Sequence, residues 1–116
     1  MKKISVLMVC TANICRSPIA HGLLRHFLEL KGLNGRVVVD SAGTHVFQKG
    51  LPPDVRAQQV ALHLGIDLSD LRSRNIRAKD FSTYEYILEM DNDNFQILQQ
   101  VCPEEQGLKI SMIMEF

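Results

Sequence analysis

Cys10 and Arg16 frame the stretch Cys10-Thr11-Ala12-Asn13-Ile14-Cys15-Arg16-Ser17-Pro18. A cysteine thiolate is a strong nucleophile, and a guanidinium grips two oxygens of an oxyanion through its planar fork. Lysine at position 16 would bring charge without that geometry. Joined by a loop of backbone N–H groups, the two residue types suit attack on phosphorus. The thiolate would form a phospho-enzyme, which water then hydrolyses. Arg16 and the loop amides would stabilise charge on the equatorial oxygens of the transition state. In a chain with three cysteines and seven arginines, the bare spacing is a weak signal. Its weight comes from the elements on either side.

Ile4 to Val9 is a short, β-branched-rich apolar run, which predicts a strand covered on both faces. Ser17-Pro18 predicts a helix start, with serine at the N-cap and proline at the first helical position. Ile19, Leu23, Leu24, Phe27 and Leu28 form the apolar face of that helix, which should end before Gly32. A strand-to-helix loop of this kind is an anion nest, because free N–H groups and the helix dipole converge there. The same field favours the thiolate form of a cysteine at position 10.

Further along, Arg36 to Asp40 reads as a second strand and Ser41-Ala42-Gly43-Thr44 as a loop. Leu51-Pro52-Pro53 is a turn. Asp54 caps a helix through Ala57, Val60, Ala61 and Leu64, which Gly65 stops. Leu68 to Ile76 is ambiguous, with one or two short helical turns as one reading. Tyr84 to Met90 predicts a third strand, Asn92 to Val101 a third main helix and Lys109 to Met114 a fourth strand. This alternation predicts an α/β fold, a four-stranded parallel sheet with helices on both faces and the phosphate loop between strand 1 and helix 1. Ligands of such sheets bind beyond the carboxyl ends of the strands, where Cys10, Ser41, Asp91 and Glu115 fall.

The 116 residues suit a single domain, and 46% of them are hydrophobic, as in globular chains. Thirteen basic and thirteen acidic residues cancel, which argues against nucleic acid or an anionic membrane as the partner. Three cysteines (Cys10, Cys15, Cys102) do not make a secreted disulfide framework. The apolar run after Met1-Lys2-Lys3 is too short for a signal peptide, and no segment approaches the roughly 20 apolar residues of a membrane span. A cytoplasmic protein is expected. The four histidines do not form a ligand set, since His21 and His26 are five apart on a helix and share no face, so no metal is implied, and thiolate chemistry at Cys10 implies no organic cofactor either. Cys102 reads as a structural thiol, and Arg72, Arg74 and Arg77 as a solvated basic face.

The stretch Val9 to Ala20 resembles the phosphate loop of the low-molecular-weight protein tyrosine phosphatases. The resemblance continues through Asp40-Ser41-Ala42-Gly43-Thr44, Asp54-Val55-Arg56-Ala57, Gly65-Ile66, Ser73-Arg74, Asp80-Phe81 and Ile87-Leu88-Glu89-Met90-Asp91. It implies hydrolysis of phosphotyrosine through a cysteinyl-phosphate, with Cys10 as nucleophile and Arg16 as phosphate clamp. Thr11, Ala12, Asn13, Ile14, Cys15, Arg16 and Ser17 would surround the phosphate, with Phe47 on the pocket wall where many members carry tryptophan. Asn13, Ser17 and Ser41 match supporting residues; asparagine also tolerates the left-handed backbone such a loop needs. Cys15 matches a neighbouring cysteine that forms a reversible disulfide with the nucleophile and guards it from over-oxidation. The implied partners are a phosphotyrosine protein, with a tyrosine autokinase as one candidate, and inorganic phosphate or a similar oxyanion in the loop.

The sequence departs from the family at several places. Position 12 is alanine rather than glycine or a bulkier residue. His21 stands where the family has a glutamate, and Leu71 falls near a position that in the family is often a histidine supporting the asparagine. The family's general acid, in an Asp-Pro-Tyr stretch after strand four, and its last helix have no counterpart up to Phe116. A C-terminally incomplete domain is therefore expected, with an apolar face of the first helix left bare. Asp91 and Glu115 are candidate substitute acids, although a helix cap for Asp91 and a solvated charge for Glu115 are the favoured readings. Two other readings stay open. An arsenate reductase on the same scaffold would need a thiol relay that Cys102 alone does not provide. A phosphate-binding or interaction domain without turnover would follow from a missing acid.

Overall fold

The computed structural model describes residues 3–14 and 16–89, and the backbone of 110–112. Strand β1 is Ile4–Cys10, β2 is Val37–Gly43, β3 is Tyr86–Glu89 and β4 is Ile110–Met112. The helices are α1 (Arg16–Leu30), α2 (Val55–His63) and the short α3 (Asp80–Thr83). The expected parallel α/β sheet is present, in the order β2-β1-β3-β4. Cys10 pairs with Gly43 at one end of the β1–β2 ladder, and Val9 with Glu89 near the end of β1–β3. The carboxyl ends of the three strands therefore meet where the loop after β1 begins.

β1 lies inside the sheet and is buried from Val6 to Cys10, as its unbroken apolar run requires. Alternation sends Leu7 and Val9 to one face, where they pack with Ala42, Phe81, Tyr84 and Ile87. α1 packs along β1 and β2 and also meets α2. A second cluster of Ala61, Ile66, Leu68 and Leu71 closes around Ile19 of α1. α2 matches its expected caps: Asp54 accepts the Arg56 N–H at 2.9 Å, and Gly65 turns the chain out at φ 78°. Among the described residues no helix is long and apolar enough to cross a membrane.

Several expectations are corrected. α1 begins at Arg16, so Ser17 and Pro18 lie inside its first turn rather than at the N-cap and first position. Proline is tolerated there because first-turn N–H groups have no partner within the helix. The residues of α1 that are buried are Ser17, Pro18, His21, Gly22 and Leu28, while Leu23 and Phe27 of its apolar face are 43% and 53% exposed, as expected of a face left bare. Close approach decides this: a Cβ on Gly22 would run into the Leu68 side chain, so the helix docks through its small residues.

β2 does not stop at Asp40 but continues through Ser41, Ala42 and Gly43, because Met8, Val9 and Cys10 offer them parallel partners. Residues 68–76 form no helix. They run to a bridge between Gly43 and Asn75, with the Ile76 N–H donating to the Gly43 carbonyl at 2.9 Å. β3 begins at Tyr86, two residues later than expected, and is preceded by α3, whose four residues are too few to leave a helical period. The helix expected over 92–101, with Met90, Asp91, Cys102 and Glu115, lies outside the described residues.

Candidate active site

The loop after β1 starts from a buried thiol. Cys10 is 3% exposed, and its sulfur accepts the Asn13 backbone N–H at 3.3 Å. Asn13 can turn its N–H back toward residue 10 because its φ is 58°, which asparagine tolerates better than most residues. The Ser17 hydroxyl lies 3.0 Å from the same sulfur and accepts the Asn13 side-chain N–H at 2.8 Å. Asn13 and Ser17 are 2% and 0% exposed, so these contacts are sheltered from water.

Neighbouring segments hold the loop from outside. The Thr44 N–H donates to the Cys10 carbonyl at 2.9 Å, the His45 N–H to Thr11 at 2.8 Å and the Asp54 N–H to Ile14 at 2.6 Å. Three of the loop's carbonyls are thus engaged by the segments after β2 and before α2. Gly43 makes this packing possible: a Cβ there would lie 2.6 Å from the Thr11 carbonyl oxygen and 2.7 Å from Val46.

The site residues expected from the sequence are only partly brought together. Cys10, Asn13 and Ser17 form one hydrogen-bonded group. Thr11 is exposed, Ala12 and Ile14 are half-buried, and Arg16 is exposed at the head of α1. Cys15 lies outside the described residues, and with it the Cys10–Cys15 redox pair. Phe47 is 90% exposed in the segment that follows β2. Ser41 is buried, but its hydroxyl meets His21 Nδ1 at 3.0 Å rather than Asn13. The histidine-for-glutamate departure thus finds its partner one strand away. Burial pushes the His21 imidazole below its ordinary value, the Asp40 charge opposes this, and Arg25 adds to it.

Sequence reasoning missed Arg74. It was expected on a solvated basic face, yet its side chain is 17% exposed and bound to two carboxylates. Its Nη1 and Nη2 reach the two Asp80 oxygens at 2.9 and 3.1 Å, and its Nε and Nη2 reach one Asp40 oxygen at 3.3 and 3.2 Å. Burial works against its charge, and the pairing with Asp80 and Asp40 outweighs that, so its pKa is raised. Its backbone N–H donates to the Asn13 side-chain carbonyl at 2.9 Å. The stretch around Asp80, Arg77-Ala78-Lys79-Asp80-Phe81-Ser82-Thr83, is largely polar and gives no local sign that this carboxylate is buried beside Arg74.

The family model described as low molecular weight phosphotyrosine protein phosphatase matches residues 5–116. A relative from Schizosaccharomyces pombe with that name is 36% identical over 116 residues, covering 99% of this chain and 74% of its own. The low molecular weight protein-tyrosine-phosphatase YfkJ of Bacillus subtilis is 33% identical over 113 residues, 97% of this chain and 72% of its own. The crystal structure of YfkJ superposes with a TM-score of 0.95 at 32% identity, over 99% of this chain and 72% of that one. A protein tyrosine phosphatase from Entamoeba histolytica, solved with Hepes in its active site, gives 0.93 at 34% identity, over 98% and 72% of the two chains. With a loop of this geometry at the end of β1 and these matches along its length, the chain belongs to the low molecular weight phosphotyrosine protein phosphatase family.

Proposed function

We propose that this protein hydrolyses phosphotyrosine in a protein substrate through a cysteinyl-phosphate intermediate. The observation that carries the proposal is the Cys10 sulfur, which receives the Asn13 backbone N–H at 3.3 Å with the Ser17 hydroxyl 3.0 Å away. These contacts hold the sulfur in place for attack. The sulfur bonds to phosphorus as the phosphorus–oxygen bond to tyrosine breaks. The tyrosyl oxygen leaves with the bonding pair as a phenolate, which takes up a proton from water. Water then attacks phosphorus, phosphate departs and the thiolate is restored. Arg16, together with the amides of the loop from Thr11 to Ser17, is assigned to the equatorial oxygens, where charge builds. Phe47 on the neighbouring segment would face the substrate's ring, and Cys15 would form the protective disulfide with Cys10.

The chemistry asks for no metal or organic cofactor, because thiolate, arginine and backbone amides supply nucleophile and charge. The proposed setting is the cytoplasm, and a tyrosine autokinase is one candidate substrate. The test is steady-state hydrolysis of an activated aryl phosphate and of phosphotyrosine by the wild-type chain and by Cys10→Ser. Turnover of both by the wild type, with loss of both in Cys10→Ser, supports the reading. Turnover of the activated ester alone assigns the loop its nucleophilic role and withdraws phosphotyrosine as substrate. Full hydrolysis by Cys10→Ser would sink the assignment of the nucleophile. Phosphate binding without turnover of either ester would favour an interaction domain.

A further inference from the structure

We propose that Arg74 is a positioning residue for the thiol loop, which makes the Ser17 hydroxyl point its proton at Cys10. The inference rests on the reading of Cys10 to Ser17 as an oxyanion-binding thiol loop.

The argument begins with the Asn13 amide, whose two ends differ chemically. A backbone N–H can only donate, so the Arg74 N–H, 2.9 Å away, requires the carbonyl end of that amide. The NH2 end must then face Ser17, to whose oxygen it donates at 2.8 Å. A hydroxyl that accepts there keeps its own hydrogen for another partner, and the Cys10 sulfur is 3.0 Å away. Turning the amide over would set two N–H groups against each other at Arg74. Ser17 would then donate to the amide oxygen, and its proton would leave the sulfur. One backbone N–H thus selects the direction of the whole relay.

That N–H must be held still, and the Arg74 side chain supplies the hold. Its fork takes both oxygens of Asp80, at the start of α3, and one oxygen of Asp40, in β2. Tyr84 adds its hydroxyl to the same Asp40 oxygen at 3.3 Å. The Arg74 carbonyl is engaged as well, since it accepts the Gly43 N–H at 2.9 Å. Backbone and side chain together tie residue 74 to β2, α3 and the thiol loop. A lysine offers one point charge and cannot span two carboxylates in this way.

The test compares wild type with Arg74→Lys, Asp40→Asn and, as a distant control, Arg25→Met, after thermal melts have identified the folded variants. The rate of Cys10 alkylation by iodoacetamide at neutral pH is followed by peptide mass mapping, with and without inorganic phosphate as protectant. For Arg74→Lys we expect alkylation slower by about tenfold, the factor for losing one hydrogen bond to a charged group. The phosphate needed for protection should rise in parallel. Arg25→Met should match wild type. Asp40→Asn trims one arm of the fork at a half-exposed carboxylate, should show a smaller effect of the same sign, and decides the question if Arg74→Lys does not fold. Folded variants with alkylation within twofold of wild type would overturn the proposal. Because alkylation reads the thiol without turnover, the two readings fail differently. Wild type unprotected by phosphate would count against the oxyanion loop, whereas unaltered variants count against Arg74.

Discussion

The Asn13 backbone N–H reaches the Cys10 sulfur at 3.3 Å from a residue held at φ 58°, so a left-handed backbone turn and a nucleophile's donor are one feature. The side chain of Asn13 then binds Ser17 and Arg74, which keeps the turn in place. Backbone conformation and sulfur chemistry therefore cannot be altered separately at this position.

Asn13→Ala should lower kcat/KM by about a hundredfold, the scale for losing one oriented donor at a reacting centre. Alanine pays about 1–2 kcal/mol for the left-handed backbone and leaves the Arg74 N–H without its acceptor. Asn13→Gly restores the backbone freedom but not the side-chain bonds, so its activity should fall between the two. Steady-state kinetics on an activated aryl phosphate measures this. Equal losses in both variants would mean that only the side chain matters.

Ser17→Ala removes the hydroxyl from the sulfur and strands the Asn13 N–H that it accepted. We expect Cys10 alkylation at neutral pH to slow by about ten- to a hundredfold, as for a hydrogen bond to a charged group. Stability should fall as well, because Ser17 is fully buried. Mass mapping of the alkylated peptide beside a urea titration separates the two effects. An unchanged alkylation rate in a folded variant would remove Ser17 from the relay.

Gly43→Ala should disturb the loop from behind. The new Cβ would meet the Thr11 carbonyl oxygen at 2.6 Å, a backbone atom that cannot rotate aside as Val46 can. The expected destabilisation is about 1–3 kcal/mol, the range for overpacking, with weaker phosphate binding. Thermal melts with and without phosphate test it. A variant that binds phosphate like wild type would show that the loop yields at no functional cost.

The buried His21 predicts a pH-dependent stability. Its folded value lies below the ordinary histidine value, so the unfolded chain binds the proton more readily. Stability is therefore fully present above the ordinary histidine range. It declines as pH falls through that range toward the depressed folded value. Urea midpoints at about pH 7.5 and about pH 5.5 should drop more for wild type than for His21→Asn. Equal drops would place the responsible group elsewhere.

Local signals in the sequence carried the frame. The β-branched run from Ile4 to Val9 predicts a covered strand, and Asp54 and Gly65 bound α2 as their capping chemistry requires. Cys10 and Arg16 could be placed between strand and helix because those signals are written in adjacent residues. The tertiary structure decided what the buried polar groups bind. Asn13 and Arg74 are 61 positions apart, and Arg74 and Asp40 are 34 apart; no local period reports such meetings. The same holds for β2, which continues through Ser41 to Gly43 only because β1 stands beside it. It holds also for the docking face of α1, where Gly22 against Leu68 outranks the more hydrophobic Leu23 and Phe27. Hydrophobic periodicity tells which residues would gain from burial, but close approach between distant segments determines which of them are buried.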